Sequence, residues 1–290
     1  ETHADMLVVA FSAFALKSIA SNRWCLPLTS IRPACSQPVL GTKRNQRCHF
    51  RGFATSSLSP YNQGAAPDVI IPSKISQTAT VFWLHGLGDT GFGWSQTANF
   101  FQKALPYAKF VFPTAEDNEV TVNGGAVMPS WFDILALKPK VLFDSESLVK
   151  SSKRIISMIE AEEQTGVAPE RIVLAGFSQG GALALYTSLT SPQNFAGTIG
   201  CSTWLDVDNV LPHIPDSKKS SEEAPAVKIL LCHGTADTVV AYSYGQHAAT
   251  ALRKQHFDVE FRSFEGMDHG ACEDELDDVL QFLLRVIPRK

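Results

Sequence analysis

Acidic residues are missing from a long early stretch of this 290-residue chain. Between Met6 and Pro67 there is no Asp or Glu, while Lys17, Arg23, Arg32, Lys43, Arg44, Arg47 and Arg51 all fall there. Those seven of the 25 Lys/Arg leave 18 from Ala54 onward, where 27 of the 29 Asp/Glu lie. So acidic a remainder argues against nucleic acid or an anionic membrane as partner. There is no C-x-x-C pair among Cys25, Cys35, Cys48, Cys201, Cys232 and Cys272. Neither a zinc site nor a disulfide framework is indicated, and free thiols with no bound metal are expected. The absence of any N-x-S/T sequon argues against secretion. Long apolar runs are absent too. Leu7 to Leu16 spans only ten residues, too few to cross a bilayer, so no stable membrane insertion is expected. No internal repeat is visible.

What is present divides the chain in two. Residues 1–60 read as a basic, acid-poor leader, either a disordered tail or a transit peptide. Rich in Arg and Ser, it closes on Arg51-Gly-Phe-Ala-Thr-Ser-Ser, which has the look of a mitochondrial processing site after Phe53. A mitochondrial destination follows if the leader is an address, and a cytoplasmic one if it is not. Residues 61–290 read as one folded domain, entered through the Pro-, Gly- and Ser-rich stretch Ser57 to Ser76.

Within that domain apolar runs and amphipathic stretches alternate. Strands are expected at Ala79 to Leu84, Lys109 to Phe112, Arg171 to Ala175, Phe195 to Gly200, Val227 to Cys232 and Val259 to Phe264. Helices are expected at Trp94 to Leu105, Glu146 to Gln164, Gln179 to Thr190, Tyr242 to Gln255 and Glu273 to Val286. Pro113 to Pro129 has no helical period and much Gly, Asn and Pro, so a long functional loop is expected. Leu205 to Pro225 reads as loop or short helix, with Lys218-Lys219-Ser-Ser-Glu-Glu exposed. This alternation implies an α/β fold: a mostly parallel central sheet with helices on both faces.

One stretch carries chemistry. Ile172, Val173 and Leu174 run into Gly176-Phe-Ser178-Gln-Gly180, and Ala182 to Leu185 begin a helix. G-x-S-x-G between a strand and a helix is the context of a nucleophile elbow. Its glycines let strand and helix approach closely, and its serine hydroxyl points away from the sheet. The N–H of Gln179 then sits at a helix N-terminus, where it can bind an oxyanion. Three other segments fall at strand ends, where open α/β sheets hold ligands. They are His85-Gly-Leu-Gly-Asp89, Cys232-His-Gly-Thr-Ala-Asp237 and Glu265-Gly-Met-Asp-His269. The order Ser178, Asp237, His269 is the serine–acid–histidine order of the α/β-hydrolases. Serine attacks, histidine carries the proton, and aspartate fixes the imidazole tautomer. Leu87 is the candidate second oxyanion donor. His85 and His233 compete as the base, and Asp133 and Asp268 as the acid. Asp237 could instead cap the following helix. Gly86-Leu-Gly88-Asp-Thr-Gly91 also passes as a dinucleotide fingerprint, although that reading leaves Ser178 unexplained.

His85-Gly-Leu-Gly-Asp-Thr-Gly-Phe-Gly-Trp94, Met128-Pro-Ser-Trp-Phe-Asp133, Gly176-Phe-Ser-Gln-Gly-Gly-Ala-Leu183 with Leu185-Tyr-Thr187, and Glu265-Gly-Met-Asp-His269 together resemble one family. It is the acyl-protein thioesterase family of lysophospholipase-like carboxylesterases, and the resemblance spans about Thr78 to Pro288. The resemblance implies a serine hydrolase with no metal or cofactor. Its substrates would be acylated proteins, lysophospholipids or small esters. It carries the triad onto Ser178, Asp237 and His269, the oxyanion donors onto Leu87 and Gln179, and a tryptophan near the acyl site onto Trp204. Val127, Met128, Val239 and Val240 are further candidates for an acyl groove. The chain departs from the family in two places. Ala115 is followed by Glu-Asp-Asn-Glu instead of a segment with Pro and Arg, and Asp237 by Thr238 instead of Pro, with Ala241 in place of a second Pro. Two other activities stay open at this point: a general carboxylesterase or lysophospholipase with no protein substrate, and a non-catalytic hydrolase fold used for binding.

Overall fold

The computed structural model describes residues 66–138, 140–218 and 227–290. The leader lies outside the described residues, as does the stretch after Lys218. In chain order the strands and helices are β1 (Val69–Ile71), β2 (Ala79–Leu84), α1 (Gly91–Ser95), α2 (Thr97–Phe101), β3 (Ala108–Phe112), β4 (Asp117–Val120), β5 (Ala126–Pro129), β6 (Ile134–Ala136) and β7 (Leu142–Phe143). They continue with α3 (Ser145–Gln164), β8 (Ile172–Phe177), α4 (Gln179–Thr190), β9 (Gly197–Cys201), α5 (Val207–Val210), β10 (Lys228–Gly234), α6 (Tyr242–Lys254), β11 (Asp258–Phe264) and α7 (Glu273–Val286).

Seven strands form the main sheet in the order β1-β3-β2-β8-β9-β10-β11. All its pairings are parallel except β1 with β3. The central strands are buried on both faces, so their side chains alternate between two apolar layers. Val81, Trp83, Val173 and Ala175 face α1, α2 and α7 through Trp94, Phe101, Val279 and Phe282. Phe82, Leu84, Ile172 and Leu174 face the other way, onto Ile155 and Ile159 of α3 and Leu183 of α4. Ile229 and Leu231 pack with Ala248 and Leu252 of α6 on that second face. The sheet therefore carries helices on both sides, as the alternation implied.

The departures have local causes. The helix expected over Trp94 to Leu105 is two short helices. Ser95 Oγ donates to the Phe92 carbonyl at 2.9 Å and Thr97 Oγ1 to the Trp94 carbonyl at 2.7 Å, and such back-bonding competes with a regular helix. The loop expected over Pro113 to Pro129 contains the antiparallel β4–β5 hairpin, with Gly124 and Gly125 at positive φ in its turn. The segment read as domain entry supplies edge strand β1. Lys218, expected exposed, is buried. Its ammonium donates to the Ser188 carbonyl and lies 5.4 Å from the Phe195 ring centroid.

Candidate active site

The elbow begins with two glycines that could be nothing larger. A Cβ on Gly176 would sit 2.4 Å from the Gly180 carbonyl oxygen, and one on Gly180 would sit 2.3 Å from that of Leu84. Strand β8, helix α4 and the end of β2 thus meet at backbone contact. Between them Ser178 holds φ 52°, ψ −118°, a strained conformation for a residue with a side chain. That strain is held in place by its neighbours. Ser178 N–H donates to the Cys201 carbonyl at 2.9 Å, while its own carbonyl accepts from Thr203 Oγ1 at 2.7 Å. Serine at the N-cap usually hydrogen-bonds its own helix. Here its side chain makes no such bond and is left for other chemistry.

Asp237 and His269 arrive from the loops after β10 and β11. His269 Nδ1 lies 2.7 Å from Asp237 Oδ2, and Asp237 Oδ1 accepts from the amides of Val239 at 2.9 Å and Val240 at 2.8 Å. Burial alone would raise the Asp237 pKa. Hydrogen bonds from His233, His269 and the Val240 amide outweigh it and hold the carboxyl well below the usual carboxylate range. The acid therefore stays ionised beside the imidazole. The Phe177 ring, next to Ser178 in the chain, lies 4.8 Å from the His269 ring, so elbow and imidazole share one end of the sheet.

The competing residues have other work. Both ring nitrogens of His85 are engaged, Nδ1 with the Gly86 carbonyl at 2.7 Å and Nε2 with the Ala115 amide at 2.9 Å. Burial lowers the His85 pKa to about 4, so the ring is neutral. Buried His233 directs Nε2 to the Val240 carbonyl at 2.9 Å and lies 3.4 Å from Asp237 Oδ2. Asp133 accepts from the Thr121 amide and hydroxyl, at 2.7 and 2.6 Å. Asp268 accepts from the Thr238 amide at 3.0 Å and the His269 amide at 2.8 Å, tying the acid loop to the histidine loop. Asp237 Oδ1 satisfies amides of the turn that follows it but does not cap α6, whose N-cap is Ala241 with no side-chain bond, and Oδ2 meets the imidazole.

Among the described residues, neither the Leu87 nor the Gln179 N–H donates a hydrogen bond. The dinucleotide reading of Gly86 to Gly91 meets an obstacle. The helix that it opens, α1, is only five residues long, and the Gly91 N–H that would face a phosphate already donates to Thr114 Oγ1 at 3.0 Å. The sequence did not foretell the second role of Gln179. Its buried side chain accepts from the Trp131 amide at 3.0 Å and donates to Ser130 Oγ at 3.0 Å and to the Phe132 carbonyl at 2.7 Å. Trp131 Nε1 in turn donates to the His85 carbonyl at 2.8 Å. Three motifs far apart in sequence are thereby locked into one wall. A glutamine after the serine was the only signal.

The acyl-groove candidates are brought together in part. Trp204 and Val240 are buried in one apolar cluster, with Met128 and Val239 packed against it. Met128 Sδ comes within 3.5 Å of where a Cβ on Gly88 would be, next to the Leu87 amide. Trp204 meets Phe132 edge-on at 6.3 Å and also walls a cavity of about 430 Å³ with Lys140, Asp206, Asp208, Tyr244 and His247, a charged space that no triad residue lines. Val127 stands apart, 65% exposed on the hairpin.

Fold and site together define an α/β-hydrolase of the serine-hydrolase class. The chain belongs to the phospholipase/carboxylesterase family, whose model matches residues 65–287. It is 40% identical over 233 residues to acyl-protein thioesterase 1 of Mycosarcoma maydis, covering 74% of this chain and 94% of that protein. Among solved structures it is similar to acyl-protein thioesterase 2 of Zea mays, with TM-score 0.67 and 30% identity over 76% of this chain and 98% of that one. It is also similar to SOBER1 of Arabidopsis thaliana, with TM-score 0.66 and 32% identity over 72% and 99%.

Proposed function

We propose that this chain is an acyl-protein thioesterase in which Ser178, Asp237 and His269 form the catalytic triad. The observation that carries the chemistry is the 2.7 Å contact of His269 Nδ1 with a buried, ionised Asp237, at the sheet end that carries the strained Ser178. With Nδ1–H bound to the carboxylate, Nε2 is the basic nitrogen. Ser178 Oγ attacks the thioester carbonyl carbon and its proton passes to His269. The oxyanion takes hydrogen bonds from the Leu87 and Gln179 amides. Collapse breaks the C–S bond, and the imidazolium protonates the departing thiolate. Water, deprotonated by His269, then attacks the acyl-serine and releases the fatty acid and Ser178.

The acylated-protein substrate is supported by the named activity of the relatives and by the apolar wall of Trp204, Val240, Met128 and Val239. None of the described helices is long and apolar enough to cross a membrane. The deciding experiment is a hydrolysis panel of palmitoyl-cysteine peptide, lysophosphatidylcholine and short nitrophenyl esters. A thioesterase turns over the first with the highest kcat/KM. Preference for either of the other two assigns the chain to the lysophospholipase or general carboxylesterase reading. Residues 1–60 are proposed as a mitochondrial address ahead of a catalytic domain at 61–290. A reporter fused behind residues 6–60 should enter mitochondria, and one that stays in the cytosol refutes the address.

A further inference from the structure

A buried imidazole outside the triad grips the loop that carries Leu87. His85 follows strand β2 and is fully buried. Its two ring nitrogens face opposite kinds of partner. Nε2 lies 2.9 Å from the Ala115 amide, which can only donate, and Nδ1 lies 2.7 Å from the Gly86 carbonyl, which can only accept. One tautomer satisfies both, with Nε2 bare and Nδ1 protonated. Burial lowers the ring's pKa to about 4, so this neutral form persists near neutral pH. The Gly86 carbonyl takes a second hydrogen bond from the Asp89 amide at 3.2 Å, which closes a turn over Gly86 to Asp89. Gly88, third in that turn, holds φ 76°, a value open to glycine. Its amide donates to the Pro129 carbonyl at 2.9 Å. A peptide unit is planar and trans, so its N–H points opposite its C=O. Fixing the Gly86 carbonyl therefore fixes the Leu87 N–H, which belongs to the same unit and donates to nothing among the described residues.

We infer that His85 is a positioning residue of the oxyanion hole: its Nδ1–H, held in one tautomer by the Ala115 amide, clamps the Gly86–Leu87 peptide so that the Leu87 N–H faces the reacting carbonyl oxygen. The role presupposes the proposed attack by Ser178. Trp131 steadies the clamp from behind. Its Nε1 donates to the His85 carbonyl at 2.8 Å, and its ring lies 4.9 Å from the imidazole. The carbonyls of residues 85 and 86 are thus both held by side chains, one by indole and one by imidazole. Without the imidazole, only the 3.2 Å bond from the Asp89 amide would restrain the Gly86 carbonyl, and the Leu87 N–H could rotate off its target. His85 itself touches no reacting atom and exchanges no proton. It acts through the peptide, and loss of one oxyanion donor costs about 10²–10³ in kcat. The link to Ala115 spans 30 residues, so the sequence showed a histidine before a glycine and not what locks its tautomer.

Two substitutions in the full chain separate the ring nitrogens. His85→Asn puts an amide N–H near the Nδ1 position and abandons Ala115, whereas His85→Gln puts an acceptor near the Nε2 position and abandons Gly86. With a nitrophenyl ester, as with palmitoyl-cysteine peptide, His85→Gln should lower kcat about 10²-fold and leave KM within about threefold, because the donor acts in the transition state. His85→Asn should recover at least about tenfold of that loss. A ring that merely packs predicts equal kcat losses in both variants, in step with their melting temperatures, and that result overturns the clamp. Nitrogen-15 NMR of the parent needs no variant to fold. His85 should show Nδ1 protonated and Nε2 bare from about pH 5 to 8. A ring protonated at Nε2 in that range overturns the clamp as well. Fluorophosphonate labelling of the parent tells the two levels apart. No label at Ser178 removes the triad, and the clamp with it. A labelled Ser178 with equal kcat in parent and His85→Gln removes the clamp alone.

Discussion

Two rims of one sheet end are built on opposite principles. The rim of the elbow, acid and base is tightly bonded around its reacting groups. Gly176 and Gly180 permit backbone contact, Asp237 accepts amides on one oxygen and the imidazole on the other, and the Gln179 side chain is fully engaged. The rim of the β4–β5 and β6–β7 pairs is made of short two-stranded ribbons that expose Val127, Leu135 and Leu142. Such ribbons are marginal without packing beneath them. The contrast teaches a division of labour. Covalent chemistry needs atoms fixed to fractions of an ångström, whereas an apolar acyl chain asks only for buried surface. Substitutions on the first rim should act on every substrate alike, and those on the second should sort substrates by length.

The largest effect tests the closed rim. His269→Ala and Asp237→Asn should each cut kcat by about 10⁴ for acetyl and palmitoyl substrates alike, with the fold retained by circular dichroism. A loss confined to one chain length breaks the division. A smaller effect tests the wall between the rims. Trp204→Ala should remove contact with two or three methylenes at about 0.8 kcal/mol each, so palmitoyl kcat/KM should fall roughly 15- to 60-fold and acetyl little. An equal loss for both means that Trp204 only packs Phe132. The smallest effect concerns Asp89, beside the oxyanion loop. Burial raises its carboxyl from 3.8 to about 6, only partly offset by the Thr90 amide. The folded protein therefore binds this proton more tightly than the unfolded chain does. The stability it contributes is present below about 3.8 and is lost as pH rises through about 6. Asp89→Asn should flatten the melting temperature over that window, removing at most about 1.4 kcal/mol per pH unit. Superimposable pH profiles for parent and variant would contradict the assignment.

The closed rim was legible in the sequence and the open rim was not, for a physical reason. Gly176, Ser178 and Gly180 are constrained by backbone contact, so the residue types themselves state the geometry. The strand leading to Asp237 is a continuous apolar run, and the one leading to His269 alternates apolar and polar residues as a half-exposed edge strand does. By contrast Asp117 to Val120 is polar and four residues long, and only pairing with Ala126 to Pro129 makes it a strand. Ser95 and Thr97 interrupt a helix that apolar spacing alone would continue. Trp204, Met128, Val239 and Val240 meet in one apolar cluster, but Val127, next to Met128 in sequence, faces solvent because adjacent strand residues point to opposite sides. The interlock of Gln179, Trp131 and His85 depends on contacts between segments 46 to 48 residues apart, which no local pattern encodes.

The account rests on a covalent acyl-serine at Ser178, and one measurement addresses it directly. The parent protein is incubated with a fluorophosphonate, digested, and mapped by mass spectrometry alongside Ser178→Ala. One label per chain is expected, on the peptide bearing Ser178, with hydrolysis of palmitoyl-cysteine peptide lost in proportion to labelling and no label on the variant. A label on another serine, or hydrolysis that survives complete labelling, would contradict the account.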